Sequence, residues 1–450
     1  MTMPVNNWGR LPHAAQNRRP ARAHSPLDFK HALDGAPTLL PHGMGRSYGD
    51  VGLNPDGTLL QMTARDHIIS FDKDSGILRA RSGLTLDALL RVSVPQGWFI
   101  PVSPGSKFVT LGGAIANDVH GKNHHKDGSF GAHVLALSLV RSDRAPMVCT
   151  PTKNKKMFAL TIGGLGLTGI IDWVELKLKP IKSAYLDVEN IPYRSLDEFF
   201  KLSADSADWP YNVAWVDCFA PQSKLGRGIF TRARFSDYGG LSPHDSETKF
   251  RWPFPTPAFL LNRFTIGLFN TLYRIRPGAR YKGRAHYDPY FYPLDSIADW
   301  NKLYGRKGFY QHQCLIPQDC AQDGIREMLS IIKHSGQGSF LAVLKHHGTE
   351  PSPGVMSFCN IGPGVSLALD FANKGEKTRA LLTKLDDCVA RHGGRNYIAK
   401  DAHMSGKFFQ DSYPDWSTLE AARDPKIMSS FWQRVIETPS QNSTPKAPAS

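Results

Sequence analysis

The chain is organised around residues 101–131, which read PVSPGSKFVTLGGAIANDVHGKNHHKDGSFG. Glycines at 105, 112, 113 and 121 allow positive φ and close backbone approach, so successive N–H groups can turn toward an anion such as a pyrophosphate. Apolar residues anchor the segment in a core, and donors and titratable groups follow directly: His120, Lys122, His124 and His125. The pattern predicts a phosphate cradle with chemistry beside it.

Two other interpretations of this stretch compete with the cradle. His120 and His124 are four residues apart, a spacing that suits a metal on a helix, but Gly121 and Lys122 disfavour both the helix and the cation. No metal site is therefore predicted. A glycine-rich structural loop with satisfied histidines stays open on the local pattern, because glycine often marks only a turn.

Length and composition indicate a globular protein of two or three domains. The chain has 450 residues, of which 41% are hydrophobic and 21% charged, which is unlike a disordered protein. We find no run of eighteen apolar residues and no signal-type segment, so the sequence predicts a cytoplasmic protein with no spanning helix. Six cysteines without a Cys-x-x-Cys pair read as reduced and mostly buried.

The net charge of +14 limits the class of partner. A field of this sign attracts nucleic acid, an anionic membrane surface or a phosphorylated substrate, and charge alone does not choose among them.

Residues 1–183 are predicted to form one α+β domain. Its first thirty residues, rich in arginine and proline, read as an extended lead-in, and a second glycine-rich loop, GMGRSYGD, spans residues 43–50. Thr85 can cap a helix that ends at residues 95–97. Short strand-like runs complete the domain, the first three of them as a hairpin or meander: 59–62, 68–71, 77–81, 134–140 and 170–179.

One glycine motif in this domain matches a nucleotide-binding pattern but lacks the secondary structure that this pattern requires. Gly164-x-Gly166-x-x-Gly169 matches the dinucleotide fingerprint, which needs a helix after it, but a strand pattern follows here. No Gly-x-x-x-x-Gly-Lys-Ser/Thr motif occurs either. A bound nucleotide would therefore need another fold.

A change of composition near residue 184 predicts a second domain. Tryptophans, prolines and the tyrosine-rich run 287–292 suggest aromatic walls of a substrate cap. Residues 340–345 and 365–371 read as strands, and residues 377–391 as a helix stopped by Gly393-Gly394. Residues 438–450 read as a disordered tail.

Residues 251–284 mix large apolar side chains with arginine and lysine. An exposed segment of this kind suits an anionic membrane surface. A helix packed in the core with a solvated basic end explains the composition equally well, so both interpretations stay open.

Several motifs taken together resemble one known family, the FAD-dependent decaprenylphosphoryl-β-D-ribose 2′-oxidases. The motifs run in order through nearly the whole chain: Gly43 to Asp50, Pro104-Gly105-Ser106, Thr110 to His125 with its Val-His-Gly-Lys-Asn-His-His, Gly163 to Gly169, and Tyr397-x-x-Lys400-Asp401. The resemblance implies a two-domain α+β fold of the vanillyl-alcohol oxidase type. Residues 1–183 and 395–437 would form the FAD domain, and residues 184–394 a substrate domain built on an antiparallel sheet.

The resemblance also implies the positions that contact FAD. In relatives that tether the flavin from the first loop, a histidine stands where this chain has Arg46, so non-covalent FAD is expected. The implied contacts are Gly43, Met44, Gly45, Arg46, Ser47, Tyr48, Gly49, Asp50, Gly105, Thr110, Leu111, Gly112, Gly113, Asn117, Asp118, Val119, His120, Ile171 and Tyr397.

The substrate side is implied in the same way. Catalytic roles would fall on Lys400, His120 and Tyr48, with Lys400 and His120 as competing bases, and substrate contacts on Lys122, Gln311, Gln313 and Lys345. The chain departs from the family's pattern at Phe291, in the aromatic run Tyr290-Phe291-Tyr292 before Pro-Leu-Asp. It also departs at Ser366 and Ala368, where the strand near the flavin lacks the polar amide or thiol of some members.

The implied activity is oxidation of the ribose 2′-hydroxyl of a polyprenylphosphoryl ribose to a 2′-keto sugar. A reductase would complete an epimerisation to the arabinose donor for cell-envelope glycans, and a quinone or another acceptor would reoxidise the flavin. Peripheral contact with the inner membrane is also expected. The rivals are an alditol or aldonolactone oxidase and a basic non-enzymatic nucleic-acid-binding protein, although no nucleic-acid-binding motif stands out.

Overall fold

The computed structural model describes the backbone of residues 3–5, 7–12, 14–20, 25–245, 250–257 and 261–436, and the side chains in these ranges except those of 3–5 and 14–20. The predicted tail at 438–450 lies outside the described residues.

Two sheets occupy the first part of the chain. One has four strands in the order Met3–Val5, Ala14–Pro20, Thr58–Gln61 and Leu39–His42, of which the last three are parallel. The other is antiparallel and has five strands in the order Ile68–Asp72, Ile77–Arg81, Ile170–Lys177, Val134–Val140 and Met147–Cys149.

The second part of the chain is built on an eight-stranded antiparallel sheet. Its order is Tyr281–His286, Tyr185–Tyr193, Gly228–Phe235, Tyr211–Val216, Ala342–His347, Gly364–Ala372, Phe309–Pro317 and Arg395–Asn396. Two small two-stranded pairs complete the β-structure: Trp98–Phe99 with Lys179–Pro180, and Phe250–Arg251 with Ile297–Ala298.

The helices of the described ranges are mostly short. They are Pro26–Asp34, Leu86–Ser93, Leu111–Ala116, His124–Asp127, Lys155–Thr161, Leu196–Asp205, Arg263–Ile275, Tyr287–Phe291, Gln318–Ser335, Glu376–Arg391, Gly406–Ser412, Trp416–Ala422 and Ser430–Ile436. None of the helices in the described part of the chain is long and apolar enough to cross a membrane.

The eight-stranded sheet separates an apolar face from a polar one. Helices Gln318–Ser335 and Glu376–Arg391 pack on one face, where they share a core with alternate residues of the central strands. Since side chains alternate along a strand, the intervening residues point to the opposite face, where Gln313 meets His120 of the 101–131 stretch. The sheet therefore presents its polar residues to the predicted cradle.

The segment from 398 to 436 completes the first part of the chain. Its apolar residues, including the fully buried Phe431 and Trp432, share one core with residues of the first strands such as Leu39 and Leu59. The division of the chain at residues 183 and 394 remains a prediction, but this shared core is the packing that such a division requires.

The prediction for the first thirty residues was wrong. Strand Ala14–Pro20 pairs in parallel with Thr58–Gln61, and Ser25 and Asp28 form a capping box at the start of helix Pro26–Asp34. The proline at the first helical position, read as a sign of extended chain, instead suits a helix start because its missing N–H is not needed there.

Other strand predictions need smaller corrections. Residues 68–72 and 77–81 form the predicted hairpin, but residues 58–61 join the other sheet, so the three runs are not one meander. The strand predicted for 170–179 ends at Lys177, and the one predicted for 340–345 runs from Ala342 to His347. The strand after Gly169 confirms that the dinucleotide fingerprint lacks its helix.

Candidate active site

The two glycine-rich loops lie side by side. A Cβ added at Gly43 would fall 2.5 Å from the Thr110 hydroxyl, so the first loop approaches the second at a position that tolerates only glycine. Gly45 adopts φ 63°, in the left-handed region that favours glycine. The Thr110 hydroxyl accepts a hydrogen bond from the Gly113 N–H and begins helix Leu111–Ala116.

Tyr397 connects the C-terminal segment to the second loop. Its hydroxyl donates to the Asn117 carbonyl at 3.0 Å, and its backbone N–H donates to the Gln313 carbonyl at 2.8 Å. The Tyr48 N–H donates to the Ala399 carbonyl at 2.9 Å. The C-terminal segment therefore contacts both loops.

This region has the features required to hold FAD. Added Cβ atoms at the exposed Gly105 and at the half-buried Gly166 would meet nothing within 4 Å, so no neighbouring side chain packs against either glycine. Among the described residues, Arg46 Nε, Asn117 Oδ1 and His120 Nδ1 are buried without a hydrogen-bond partner. Glycine-rich loops together with unpartnered buried polar atoms suit a large polar cofactor with a pyrophosphate.

Arg46 lies against aromatic rings. Its guanidinium carbon is 4.1 Å from the Trp8 ring centroid and 5.5 Å from that of Phe108. Burial lowers the pKa of Arg46, and the nearby carboxylate of Asp295 opposes that shift. Stacking fixes the planar group while its donors stay available to an anion.

Two predicted cofactor residues use their carboxylates within the protein. Asp50 accepts two hydrogen bonds from Arg434, at 2.8 and 2.9 Å. Asp118 is fully buried and accepts from the hydroxyls of Ser352 and Ser357 and from the Gly131 N–H. If Asp50 and Asp118 touch FAD, they do so through their backbones.

The remaining predicted cofactor positions lie in the loops or beside them. Gly43 to Gly49 form the first loop, Gly112 and Gly113 lie in the short helix, and Val119 and Tyr397 are buried near His120. Leu111 and Ile171 belong to the core beneath the second loop. Their side chains support the loop, so a cofactor contact from them is a backbone contact.

Lys400 and Asp370 form the electrostatic centre of the polar face. The Lys400 Nζ lies 3.6 Å from the centroid of the Tyr48 ring. Burial lowers the pKa of Lys400, and the Asp370 carboxylate opposes this shift. Asp370, fully buried, accepts hydrogen bonds from Gln311 and from the Tyr304 hydroxyl, and burial raises its pKa.

Two further lysines give this face an excess of positive charge. Burial lowers the pKa of Lys345 to about 8. Burial and the Lys345 charge lower that of Lys122 to about 7. Lys122 donates to the carbonyls of Tyr290 at 2.7 Å and Phe291 at 3.2 Å, so at most one of its N–H groups is left for a ligand. The charge of Lys345 lowers the pKa values of both Lys122 and Lys400, and such a group of buried ammonium groups is suited to bind an anion.

His120 is neutral in this environment. Burial lowers its pKa well below the usual value, and the Lys345 charge lowers it further. Its Nε2 lies 2.8 Å from the Gln313 side-chain amide, and its ring packs against those of Tyr397 and His347. Because the Gln313 N–H donates to Nε2, the neutral ring carries its proton on the unpartnered Nδ1, which can donate to a substrate oxygen.

The three departures from the family's pattern have different settings. Phe291 is buried against Phe99 and Tyr211, so it belongs to the core. Ser366 lies 3.0 Å from His347 Nε2, and Ala368 is paired with Gln313 across the sheet. Only the latter two lie on strand positions facing the site.

Sequence reasoning did not include Asp370 or Tyr304 among the site residues. Asp370 could have been found by alternation, because Ser366, Ala368 and Asp370 share one face of a strand that pairs with the strand carrying Lys345. Tyr304 lies in a short 3-10 helix, Trp300–Tyr304, and no local pattern places it beside Asp370. His124, His347 and Cys359 form a further buried group next to His120.

Comparison with known proteins identifies the relatives of this chain. Residues 30–144 match a family model described as an FAD binding domain. The decaprenylphosphoryl-beta-D-ribose oxidase of Mycolicibacterium smegmatis is 32% identical over 409 residues, covering 88% of each chain. An uncharacterised protein of Streptomyces coelicolor is 31% identical over 76% of this chain and 96% of its own. A D-lactate dehydrogenase of Anaerostipes hadrus is 29% identical over 32% of this chain and 31% of its own.

These matches extend over both parts of the chain and agree with the cradle, the polar sheet face and the two-part α+β fold. The chain is an FAD-dependent oxidoreductase that acts on CH–OH groups, with the vanillyl-alcohol oxidase type of fold. It belongs to the decaprenylphosphoryl-β-D-ribose oxidase family.

Proposed function

We propose that this enzyme oxidises the 2′-hydroxyl of a polyprenylphosphoryl-β-D-ribose to the 2′-keto sugar. The observation that supports this most is a group of three buried lysines: the charge of Lys345 acts on both Lys122 and Lys400, and Lys400 also interacts with the buried carboxylate of Asp370. Such a group suits a substrate with an anionic phosphate and several hydroxyl groups. Bound FAD would supply the hydride acceptor.

Each polar side chain of the site has a separate role in this reaction. Lys345 and the free N–H of Lys122 hold the phosphate, and Gln311 and Gln313 orient the ribose hydroxyls. Lys400, next to the Tyr48 ring and under the electrostatic influence of Asp370, supplies positive charge where negative charge develops during oxidation.

Two groups compete to remove the hydroxyl proton. Lys400 can accept it when deprotonated, because its pKa is lowered by burial. His120 can accept it at Nδ1 once the Gln313 amide is turned so that its oxygen accepts from Nε2–H; in the present orientation the Gln313 N–H donates to Nε2, and Nδ1 carries the proton of the neutral ring. Tyr48 positions Lys400 through its ring face and supports either route.

The wider context belongs to the same proposal. A keto-sugar reductase would take up the product and complete the epimerisation to the arabinose donor, and a quinone or another oxidant would accept electrons from the reduced enzyme. FAD is held without a covalent bond.

We also propose peripheral contact with the inner membrane from the cytoplasmic side. Helix Arg263–Ile275 exposes a stripe of large apolar side chains: Phe264, Leu268, Leu272 and Ile275, each more than half exposed. Its other side is fixed, since Asn270 donates to Asp217 and Tyr273 packs on Trp215. The stripe contradicts the interpretation of 251–284 as a core helix.

The charge around the stripe indicates the surface it fits. Arg263 and Arg274 belong to the same helix, and Arg276 follows it directly. An apolar stripe with basic neighbours suits an anionic lipid surface.

A reduction assay tests the central proposal. The yellow holoenzyme is mixed anaerobically with farnesylphosphoryl-β-D-ribose, and loss of oxidised-flavin absorbance is followed. Trapping the product with borodeuteride should place deuterium at C2′, and the 2′-deoxy analogue should leave the flavin oxidised. Reduction by free alditols or aldonolactones, but not by the lipid-linked ribose, would instead identify the rival oxidase.

A further inference from the structure

Three side chains with metal-binding atoms meet where two helices pack on the apolar face of the eight-stranded sheet. Glu327 belongs to helix Gln318–Ser335, Cys388 to helix Glu376–Arg391, and His392 follows the second helix directly. One carboxylate oxygen, the thiol sulfur and one imidazole nitrogen all lie within 4.8 Å of one another. Carboxylate, thiolate and imidazole are the ligands that zinc uses in proteins.

The sequence brings these groups together by two local devices. Cys388 and His392 are four residues apart, a spacing that places both side chains on one face of a helix. Gly324 lies inside the first helix, and a Cβ added there would fall 3.1 Å from the His392 ring. Glycine weakens a helix interior, but here its missing side chain lets the histidine lie close to the first helix.

The contacts of the group leave one carboxylate oxygen directed at the other two ligands. His392 Nε2 lies 2.9 Å from Glu327 Oε2, and Arg391 donates to Oε1 of the same carboxylate. The Cys388 thiol interacts with this carboxylate and lies 3.9 Å from the Gly324 carbonyl, a long contact for a weak donor. Arg391 thus orients the carboxylate from the side away from the histidine, as an outer partner of a metal ligand does.

Exposure and charge both favour a cation at this place. The side chains of His392 and Glu327 are 19% and 39% exposed, so an ion can reach them from solvent. A thiolate and a carboxylate together balance the charge of a divalent ion. Cys388 lies in the last turn of its helix, where the free backbone carbonyls carry partial negative charge.

A second group of this kind within the described ranges is less suited to a metal. It consists of His124, His347 and Cys359, which are all buried. With one thiolate and two neutral imidazoles, a divalent ion there would keep a net charge of +1. Burial, and after it the charge of Lys345, lower the pKa of His124 to about 4, so its surroundings already oppose positive charge.

We propose that Glu327, Cys388 and His392 bind a zinc ion, with water as the fourth ligand. Ligand atoms around zinc are about 3.3–3.8 Å apart, so the side chains need to close by about 1 Å. On binding, the thiol proton leaves to solvent, and the neutral imidazole coordinates through Nε2 while its proton resides on Nδ1. The ion would tie the two helices together just before the segment that carries Tyr397 and Lys400.

Cobalt is the probe for this site, because tetrahedral cobalt bound to a thiolate absorbs red light, where oxidised flavin does not. Co²⁺ is titrated into the chelator-treated holoenzyme. We expect red absorption that saturates at one ion per chain and is abolished by excess Zn²⁺. Cys388→Ser should remove this absorption, whereas the matched control Cys320→Ser, at an exposed cysteine of the first helix, should retain it.

The cobalt titration can overturn the proposal in three ways. No red absorption at saturating Co²⁺ would show that these side chains do not form a tetrahedral thiolate site. Loss of the absorption in Cys320→Ser would identify an adventitious surface thiol. Loss in Cys359→Ser, with full absorption in Cys388→Ser, would place the ion in the buried group instead.

Thermal unfolding covers the case in which Cys388→Ser does not fold. Zn²⁺ should raise the melting temperature of the chelator-treated wild type by about 2 °C or more, because an ion that binds only the folded state stabilises it. Glu327→Gln keeps the shape of a half-exposed side chain and removes a ligand, so the rise should disappear. An equal rise in this variant would contradict the site. None of these measurements depends on the proposed reaction, so the zinc site and the sugar oxidation can fail separately.

Discussion

The Lys400 ammonium lies over the ring of Tyr48, 3.6 Å from its centroid. Tyr48 comes from the first glycine-rich loop and Lys400 from the C-terminal segment, so this contact joins two distant parts of the chain. Asp370 approaches from the eight-stranded sheet and opposes the effect of burial on the lysine. Three separate segments therefore contribute to the surroundings of one charge.

Lys400→Met should remain folded and yellow while flavin reduction by substrate slows by roughly a hundredfold or more. Methionine keeps much of the stem but removes the charge and the proton-transfer group. Stopped-flow reduction measures the effect. Lys407→Met, at an exposed pair with Asp411, is the control and should change nothing. Near-normal reduction in Lys400→Met would leave His120 as the residue to test.

FAD should be released by acid precipitation, with the yellow colour in the supernatant. Arg46 stands in the first loop, and its guanidinium, although burial lowers its pKa, stays protonated and delocalised and so cannot act as the attacking nucleophile for a tether. Colour that stays in the pellet would contradict non-covalent binding. His120→Ala would then show whether that histidine is the attachment point.

KM for the phosphorylated substrate should rise as the pH increases from about 7 to 9. Burial lowers the pKa of Lys345 to about 8, so its phosphate-binding, protonated form is present below that pH and is lost above it. Steady-state rates of flavin reduction, measured at several pH values in this range, give the rise of KM with pH. Lys345→Arg keeps its charge, so in this variant KM should rise only at a higher pH. If KM rises at the same pH as in the wild type, Lys345 is not the cause of the pH dependence.

Arg434→Met should destabilise the protein by about 3 kcal/mol, because it leaves the buried carboxylates of Asp50 and Asp401 without their partner. Urea unfolding followed by flavin fluorescence measures the loss, and FAD should leave at lower urea. Arg391→Met removes an exposed pair with Glu327 and should cost less than about 1 kcal/mol. Equal losses of stability in both variants would show that the buried Arg434 pairs stabilise the protein no more than the exposed Arg391–Glu327 pair does.

Replacing Leu268 and Leu272 by glutamate should reduce co-sedimentation with anionic liposomes at least roughly tenfold. The wild-type protein should bind more strongly with anionic lipid and less strongly at high salt. Leu27→Glu changes a comparably exposed leucine outside the stripe and should not alter binding. Wild-type binding that depends neither on lipid charge nor on salt would rule out this stripe as the membrane-binding surface.

Local patterns were sufficient for elements whose signals lie in neighbouring residues. Thr85 caps its helix by accepting from the Ala88 N–H, as the sequence predicted, and the hairpin of residues 68–72 and 77–81 follows its turn signals. The parallel pairing of Ala14–Pro20 with Thr58–Gln61 joins strands about forty residues apart. No local propensity encodes that contact, so the pairing was missed.

The site was predictable to the extent that its motifs are contiguous. The glycine loops and Tyr397-x-x-Lys400 were found because their residues are close in sequence. Asp50 and Asp118 were assigned to FAD from their motif positions, but their carboxylates bind Arg434 and two serines far along the chain. Which partner saturates a carboxylate depends on tertiary packing, which a motif does not contain.

The dependence of the first loop on Arg434 has a consequence for biosynthesis. Asp50 and the apolar residues around Leu39 and Leu59 leave the ribosome early, whereas Phe431, Trp432 and Arg434 follow more than three hundred residues later. At about 5–20 residues per second this interval is on the order of 20–80 s. During it the first loop lacks its arginine and its core lacks two large rings, so stable FAD loading must wait until the eight-stranded sheet has been made.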